Sequence, residues 1–142
     1  MKIRILAGLP LMVLLLSCSC QPAAGQKGSF YDVSALGPQV LPFTTEQAAQ
    51  ELAKTHTVVY FFTATWCFEC QETYRDVQAN LKAIPSDFTL IYVNYDQESI
   101  LKQKYGVTVQ HTFVLVGTQG ERKKIWVGTI PIVDIVAIAK RK

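Results

Sequence analysis

Thr63-Ala64-Thr65-Trp66-Cys67-Phe68-Glu69-Cys70 is the stretch on which the reading of the whole chain turns. It follows Thr57-Val58-Val59-Tyr60-Phe61-Phe62, an apolar, β-branched and aromatic run that reads as a buried strand. Downstream, apolar positions recur at Cys70, Tyr74, Val77, Leu81 and Ile84, steps that trace one face of an α-helix. The two cysteines therefore fall at a strand-to-helix junction, with Cys67 at or just before the first turn. Unpaired backbone N–H groups and the positive end of the helix dipole converge there and favour a thiolate. A thiolate is the nucleophile of disulfide exchange, and a second thiol three residues on can resolve the mixed disulfide.

Two other uses of a C-x-x-C pair stand beside that one. Half of a zinc site needs two more Cys or His ligands. Downstream there is no third cysteine, and His56 and His111 are the only histidines. A static structural disulfide is the other, and the tryptophan directly before Cys67 at the end of a hydrophobic strand argues against both.

Trp66-Cys67-Phe68-Glu69-Cys70 after Val58–Phe62 resembles the W-C-x-x-C active site of the thioredoxin superfamily. The likeness continues through Ile91–Asp96, Tyr105-Gly106-Val107, Thr112–Val116, Gly117–Gly120 and Gly128, and spans roughly residues 40–142. Within the superfamily the chain looks most like small domains that work outside the bacterial cytoplasm. The resemblance implies an α/β thioredoxin fold, a mixed central sheet flanked by helices. It also implies that Cys67 attacks a substrate disulfide, Cys70 resolves, and Trp66 shields the pair. His111 and Thr112 would border the substrate groove. In related exported reductases a membrane thiol transporter supplies electrons, which pass to misoxidised proteins or apocytochrome c. No organic cofactor is needed.

Three departures from the family pattern bear on the chemistry. His111, in Val109-Gln110-His111-Thr112-Phe113, occupies the position of a cis-proline that faces the disulfide. A cis bond before a non-proline residue costs about 3–4 kcal/mol, so the loop is expected to be trans or strained. The imidazole would then reach the Cys67 sulfur, stabilise a thiolate, act as acid or base, or add a third metal ligand. Metal or iron–sulfur binding through Cys67, Cys70 and His111 is thus one alternative, and a redox-inert binding module on the same fold is another. Phe61 stands where many thioredoxins carry a buried acid, leaving the resolving proton to His111, Glu69 or water. Finally, Phe68-Glu69 places an acid between the thiols, with Glu72 and Asp76 beyond. Negative charge disfavours a neighbouring thiolate, which points to a reductant; a protonated His111 would act the other way.

The N-terminus reads as an export signal over residues 1–17. Lys2 and Arg4 precede the apolar Leu6–Leu16, too short to span a bilayer stably. Leu15-Leu16-Ser17-Cys18 resembles the bacterial lipoprotein cleavage box, in which Cys18 carries the lipid; an ordinary cleaved signal peptide is the other reading. Either route places the domain outside the cytoplasm, lipid-anchored in the first case to a bacterial membrane. Cys20 is expected to be a bystander. Residues 18–38 read as a tether rich in Gln, Pro, Ala, Gly, Lys and Ser, with Phe30, Tyr31 and Leu36 able to pin its later part. Residues 39–142 form the domain.

Loss of Lys2 and Arg4 would bring the formal charge from +3 to about +1, a balance that argues against nucleic-acid binding and leaves a monomer as the expectation. Arg122-Lys123-Lys124 and Lys140-Arg141-Lys142 read as solvated surface. The remaining elements follow in order. Val40–Phe43 is an edge strand, and Thr44 or Thr45 caps the next helix. Residues 88–95 form a second central strand, and Asp96 caps a helix over 97–104 that Gly106 ends. Residues 112–117 and 122–127 form a hairpin. Pro131 opens a helix that faces Ile132, Ile135, Val136 and Ala139 inward.

Overall fold

Alternation along one strand divides the hydrophobic core in two. The computed structural model describes residues 30–128 and 131–141. Its central strand, β2 (Thr57–Thr63), follows β1 (Val40–Pro42) and α1 (Glu46–Ala53). Then come α2 (Phe68–Ala79), a 3-10 turn at Leu81–Ala83, β3 (Phe88–Asn94) and α3 (Ser99–Tyr105). The hairpin β4 (Thr112–Val116) and β5 (Arg122–Val127) and the helix α4 (Ile132–Lys140) complete the order. The sheet runs β1-β3-β2-β4-β5. β3 is parallel to both β1 and β2, while β2–β4 and β4–β5 are antiparallel.

Successive side chains of a strand point to opposite faces. Val59 and Phe61 therefore join Cys70, Val77, Ile132 and Ile135 in the core beneath α2 and α4. Val58, Tyr60 and Phe62 join Ala49, Leu101 and Tyr105 beneath α1 and α3. Each fully buried aliphatic or aromatic side chain of this kind contributes about 1.5–3 kcal/mol, so β2 anchors both layers. Pro42 lies at the end of an edge strand, where its missing N–H costs nothing.

Helix ends follow their local chemistry with two corrections. Thr45 Oγ1 accepts from the Ala48 N–H at 3.1 Å and starts α1. Gly106 closes α3 in the left-handed conformation, φ +70°. Asp96, however, does not cap α3. The Asn94 side chain accepts from the Asp96 and Gln97 N–H groups, and the helix begins only at Ser99. The active-site helix is shorter than its apolar face implied: it ends at Ala79, Leu81 sits in the 3-10 turn, and Ile84 is still buried. α4 buries Ile132, Ile135, Val136 and Ala139, as their spacing indicated.

Residues upstream of β1 belong to the packed structure. Val33 and Leu36 are buried in the α2/α4 core, and Phe30 and Tyr31 pack against it. Tyr31 lies 4.8 Å from Tyr74 and 5.8 Å from Tyr92, ring centre to ring centre. The Tyr74 hydroxyl donates to the Asp32 carbonyl at 2.8 Å. Arg122 and Lys123 lie exposed, as expected, but two hairpin cations also tie elements together: Arg122 donates to the Tyr105 carbonyl, and Lys124 Nζ donates to the Ile138 and Arg141 carbonyls, each at 2.9 Å. No helix among the described residues is long and apolar enough to cross a membrane. Cys18, Cys20 and the whole signal region lie outside the described residues.

Candidate active site

The β2–α2 junction presents two thiols in unlike surroundings. Cys67 is the N-cap of α2, with extended backbone (φ −85°, ψ 115°). Its Sγ accepts from the Cys70 N–H at 3.2 Å, filling the role an N-cap oxygen has elsewhere. The preceding loop is fastened at both ends. The Cys67 N–H donates to the Ala64 carbonyl at 3.2 Å, and Gln71 Nε2 donates to the Thr65 carbonyl at 2.7 Å. Both thiols are free, and both lie within the protein surface. Cys70 is fully enclosed. Burial pushes its thiol up to about 12, and the neighbouring Cys67 adds to the rise; the Ala64 backbone and the Thr63 hydroxyl act the other way.

Two large apolar side chains flank Cys67 in the open: Trp66 is 59% exposed and Phe68 70%. Trp66 is oriented by Asp96, whose Oδ2 accepts from the indole Nε1–H at 2.9 Å. The residue read as a helix cap is thus the partner of the tryptophan thirty positions earlier. Thr112, the first residue of β4, donates from Oγ1 to the Val109 carbonyl at 2.7 Å and closes the loop in front of the strand.

His111 is placed differently from expectation. The described residues contain no cis peptide bond, and His111 instead adopts φ +57°, the left-handed region that costs a non-glycine residue about 1–2 kcal/mol. Its ring does not turn to Cys67. Nε2 lies 2.9 Å from Thr73 Oγ1, and Nδ1 lies 3.1 Å from Glu69 Oε2. A neutral ring satisfies both partners, with Nδ1–H donating to the carboxylate and Nε2 accepting from the hydroxyl. The imidazole is only 2% exposed and packs edge-on to Phe61 and Phe113. His111 thus pins the loop before β4 to the first two turns of α2. With both nitrogens so engaged, it does not join Cys67 and Cys70 as a ligand set. Among the described residues no group of three His, Cys, Asp or Glu side chains is arranged to hold a metal ion.

Phe61 stacks on Phe113 at 4.6 Å with nearly parallel rings, leaving the α2 side of β2 without an acid. Three residues that the sequence reading did not assign to the site sit around the thiols. Thr73 is buried and holds His111. Tyr31 donates to the Ala64 carbonyl at 3.1 Å. Thr63, the last residue of β2, is completely buried. Thr73 was discoverable, since it lies three positions beyond Cys70 on one helical face.

A vicinal thiol pair capping the helix that follows the central strand of such a sheet defines a thiol–disulfide architecture. The thioredoxin family model matches residues 39–141, and the chain belongs to that family. Membership supports thiol–disulfide oxidoreductase activity in general and disulfide-containing proteins as the substrate class. Among curated proteins none matches the sequence. Solved structures agree on the fold. Trxlp of Edwardsiella tarda EIB202 is 24% identical over 72% of this chain and 99% of its own, with a TM-score of 0.58. An N21Q mutant thioredoxin of Halobacterium salinarum NRC-1 is 21% identical over 73% and 93%, TM-score 0.57. Fasciola hepatica thioredoxin is 28% identical over 68% and 90%, TM-score 0.56.

Proposed function

We propose that the protein is a membrane-anchored, extracytoplasmic thiol–disulfide oxidoreductase that reduces protein disulfides. Cys67 is the nucleophile and Cys70 the resolving thiol. The observation that carries this reading is the inequality of the pair: Cys67 caps the helix beside two exposed aromatic side chains, and Cys70 lies fully enclosed behind it. An incoming disulfide meets Cys67 first, and the mixed disulfide then brings its sulfur against Cys70. Trp66 and Phe68 offer apolar surface to an unfolded or extended client.

The reductive direction rests on Glu69. Its carboxylate stands in the first turn of α2, adding negative charge on the helix that carries the pair, and its Oε2 lies 3.1 Å from His111 Nδ1. A dithiol that is not stabilised as thiolate gives up electrons readily. Electrons would then come from a membrane thiol transporter. The anchor rests on the sequence Leu15-Leu16-Ser17-Cys18, with Cys18 as the lipid-bearing residue.

The test is the reduction potential of the Cys67–Cys70 couple, titrated against glutathione or dithiothreitol. A value of about −270 mV supports a reductant, whereas about −120 mV overturns the direction and makes the protein an oxidase or isomerase. Absence of any reversible two-electron couple would sink the redox reading altogether. Incorporation of labelled fatty acid that Cys18→Ala abolishes would support the anchor, and a label that survives the substitution would remove it.

A further inference from the structure

Resolution of the mixed disulfide requires a thiolate at Cys70, the thiol that burial keeps protonated, and the face of β2 beside it bears no acid. One buried polar group does occupy that face. Side-chain alternation places Thr63 on the same side of β2 as Val59 and Phe61, which share a core with Cys67 and Cys70. Thr63 is fully buried, and its hydroxyl has no hydrogen-bond partner among the described residues. Such a hydroxyl lowers stability, and valine would fill the same space without that penalty. An uncompensated polar group at the end of the central strand, on the face whose core holds both thiols, is the kind of local cost that functional sites retain. Its neighbour is held in place: the Ala64 carbonyl accepts from the Tyr31 hydroxyl at 3.1 Å and from the Cys67 N–H at 3.2 Å. The Thr63 hydroxyl also favours the ionised forms of both Cys70 and Tyr31, although its resting geometry falls short of a hydrogen bond to either.

We propose, building on the oxidoreductase reading above, that Thr63 stabilises the Cys70 thiolate during resolution, its idle hydroxyl donating to the sulfur as the proton leaves. Tyr31 is a positioning residue that fixes the Thr63–Ala64 segment from outside the sheet. In this step the Cys70 sulfur bonds to Cys67 Sγ, and the bond between Cys67 Sγ and the substrate sulfur breaks. The substrate sulfur leaves with the electron pair and takes up the proton that Cys70 sheds. Cys70 is oxidised and the substrate sulfur reduced, with no outside reagent.

The experiment is stopped-flow reaction with 5,5′-dithiobis(2-nitrobenzoate) of the reduced full chain carrying Cys18→Ser and Cys20→Ser, the background for every variant, so that only Cys67 and Cys70 contribute thiols. Attack by Cys67 releases one coloured thiolate, and resolution by Cys70 releases the second. Thr63→Val should leave the first phase within about twofold and slow the second about tenfold at neutral pH. The pH profile of the second phase should move up by about one unit, the shift that a tenfold loss of thiolate requires. Thr63→Ser should restore the second phase, and Tyr31→Phe should slow it by a smaller factor. The urea midpoint of Thr63→Val should equal or exceed that of the background protein, an outcome that a purely structural threonine would not give. Thr63→Ala read beside Thr63→Ser repeats the comparison without added bulk. A second phase unchanged in rate and pH profile in both the valine and alanine variants overturns the role of Thr63 alone. A background protein that stops after one equivalent overturns the oxidoreductase reading, and the role of Thr63 with it.

Discussion

Raising the pH of the reduced protein tests the enclosure of Cys70 directly. The thiol moves from an ordinary value of 9.0 to about 12, through burial first and the adjacent Cys67 second. A group whose pKa is raised on folding contributes stability that is complete below the unfolded value. That contribution is lost as the pH climbs toward the folded value. Between about 9 and about 12 the unfolded chain has shed the proton and the folded chain still holds it. Stability then falls by up to about 1.4 kcal/mol per pH unit. At about pH 10.5, midway through the window, the loss attributable to Cys70 is about 2 kcal/mol. Tyr31, Tyr60, Tyr92 and Tyr105 are also raised by burial and add losses of the same sign. A Cys70→Ala variant retains those tyrosines and Cys67, so the difference between the two proteins isolates the buried thiol. The assay is urea unfolding of both, under reducing conditions, at about pH 7.5, 9 and 10.5. The wild type should lose about 2 kcal/mol more than the variant across that range. Parallel curves would refute the argument from burial, and a wild type that gains on the variant would reverse its sign.

Two further substitutions probe the same region. His111→Ala strips Thr73 of its partner and leaves a gap against Phe61 and Phe113, costing about 2–4 kcal/mol in urea unfolding. His111→Asn, which tolerates the left-handed backbone, should recover part of that, and an alanine variant within about 0.5 kcal/mol of wild type would discount the pin. Asp96→Ala removes the acceptor for the Trp66 indole at an exposed site, so stability should change by less than about 1 kcal/mol. Its readout is tryptophan fluorescence anisotropy, which should drop as Trp66 gains freedom; unchanged anisotropy would mean that Asp96 does not hold the ring.

Much of the fold was legible because it is encoded locally. The β-branched run of β2, the spacing of Ile132, Ile135, Val136 and Ala139, and the glycine at the end of α3 each act through neighbours in sequence. The Cys67–Cys70 spacing likewise placed both thiols on the first turn of a helix. What stayed hidden depends on partners brought together by the sheet. Asp96 has the composition of a helix cap, but Asn94 forms the turn first, and the Asp96 carboxylate is left facing an indole thirty residues away. His111 was expected in a trans or strained loop, and it sits there at φ +57° without a cis bond. Which way its ring would turn depended on Thr73 and Glu69, both on a helix that folds across it. Thr63 read as an ordinary strand residue, since an unpartnered hydroxyl can be recognised only once its surroundings are closed.

The packing of the segment before β1 has a mechanical meaning. The family match begins at residue 39, yet the chain is already gripped at Tyr31, at Asp32 by Tyr74 of α2, and through Val33 and Leu36. A pull transmitted along the upstream chain reaches the carbonyl beside Cys67 and the helix that carries Cys70 before it reaches the edge of the sheet. A load applied to the chain ahead of Phe30 would therefore act in mechanical series with the two thiols.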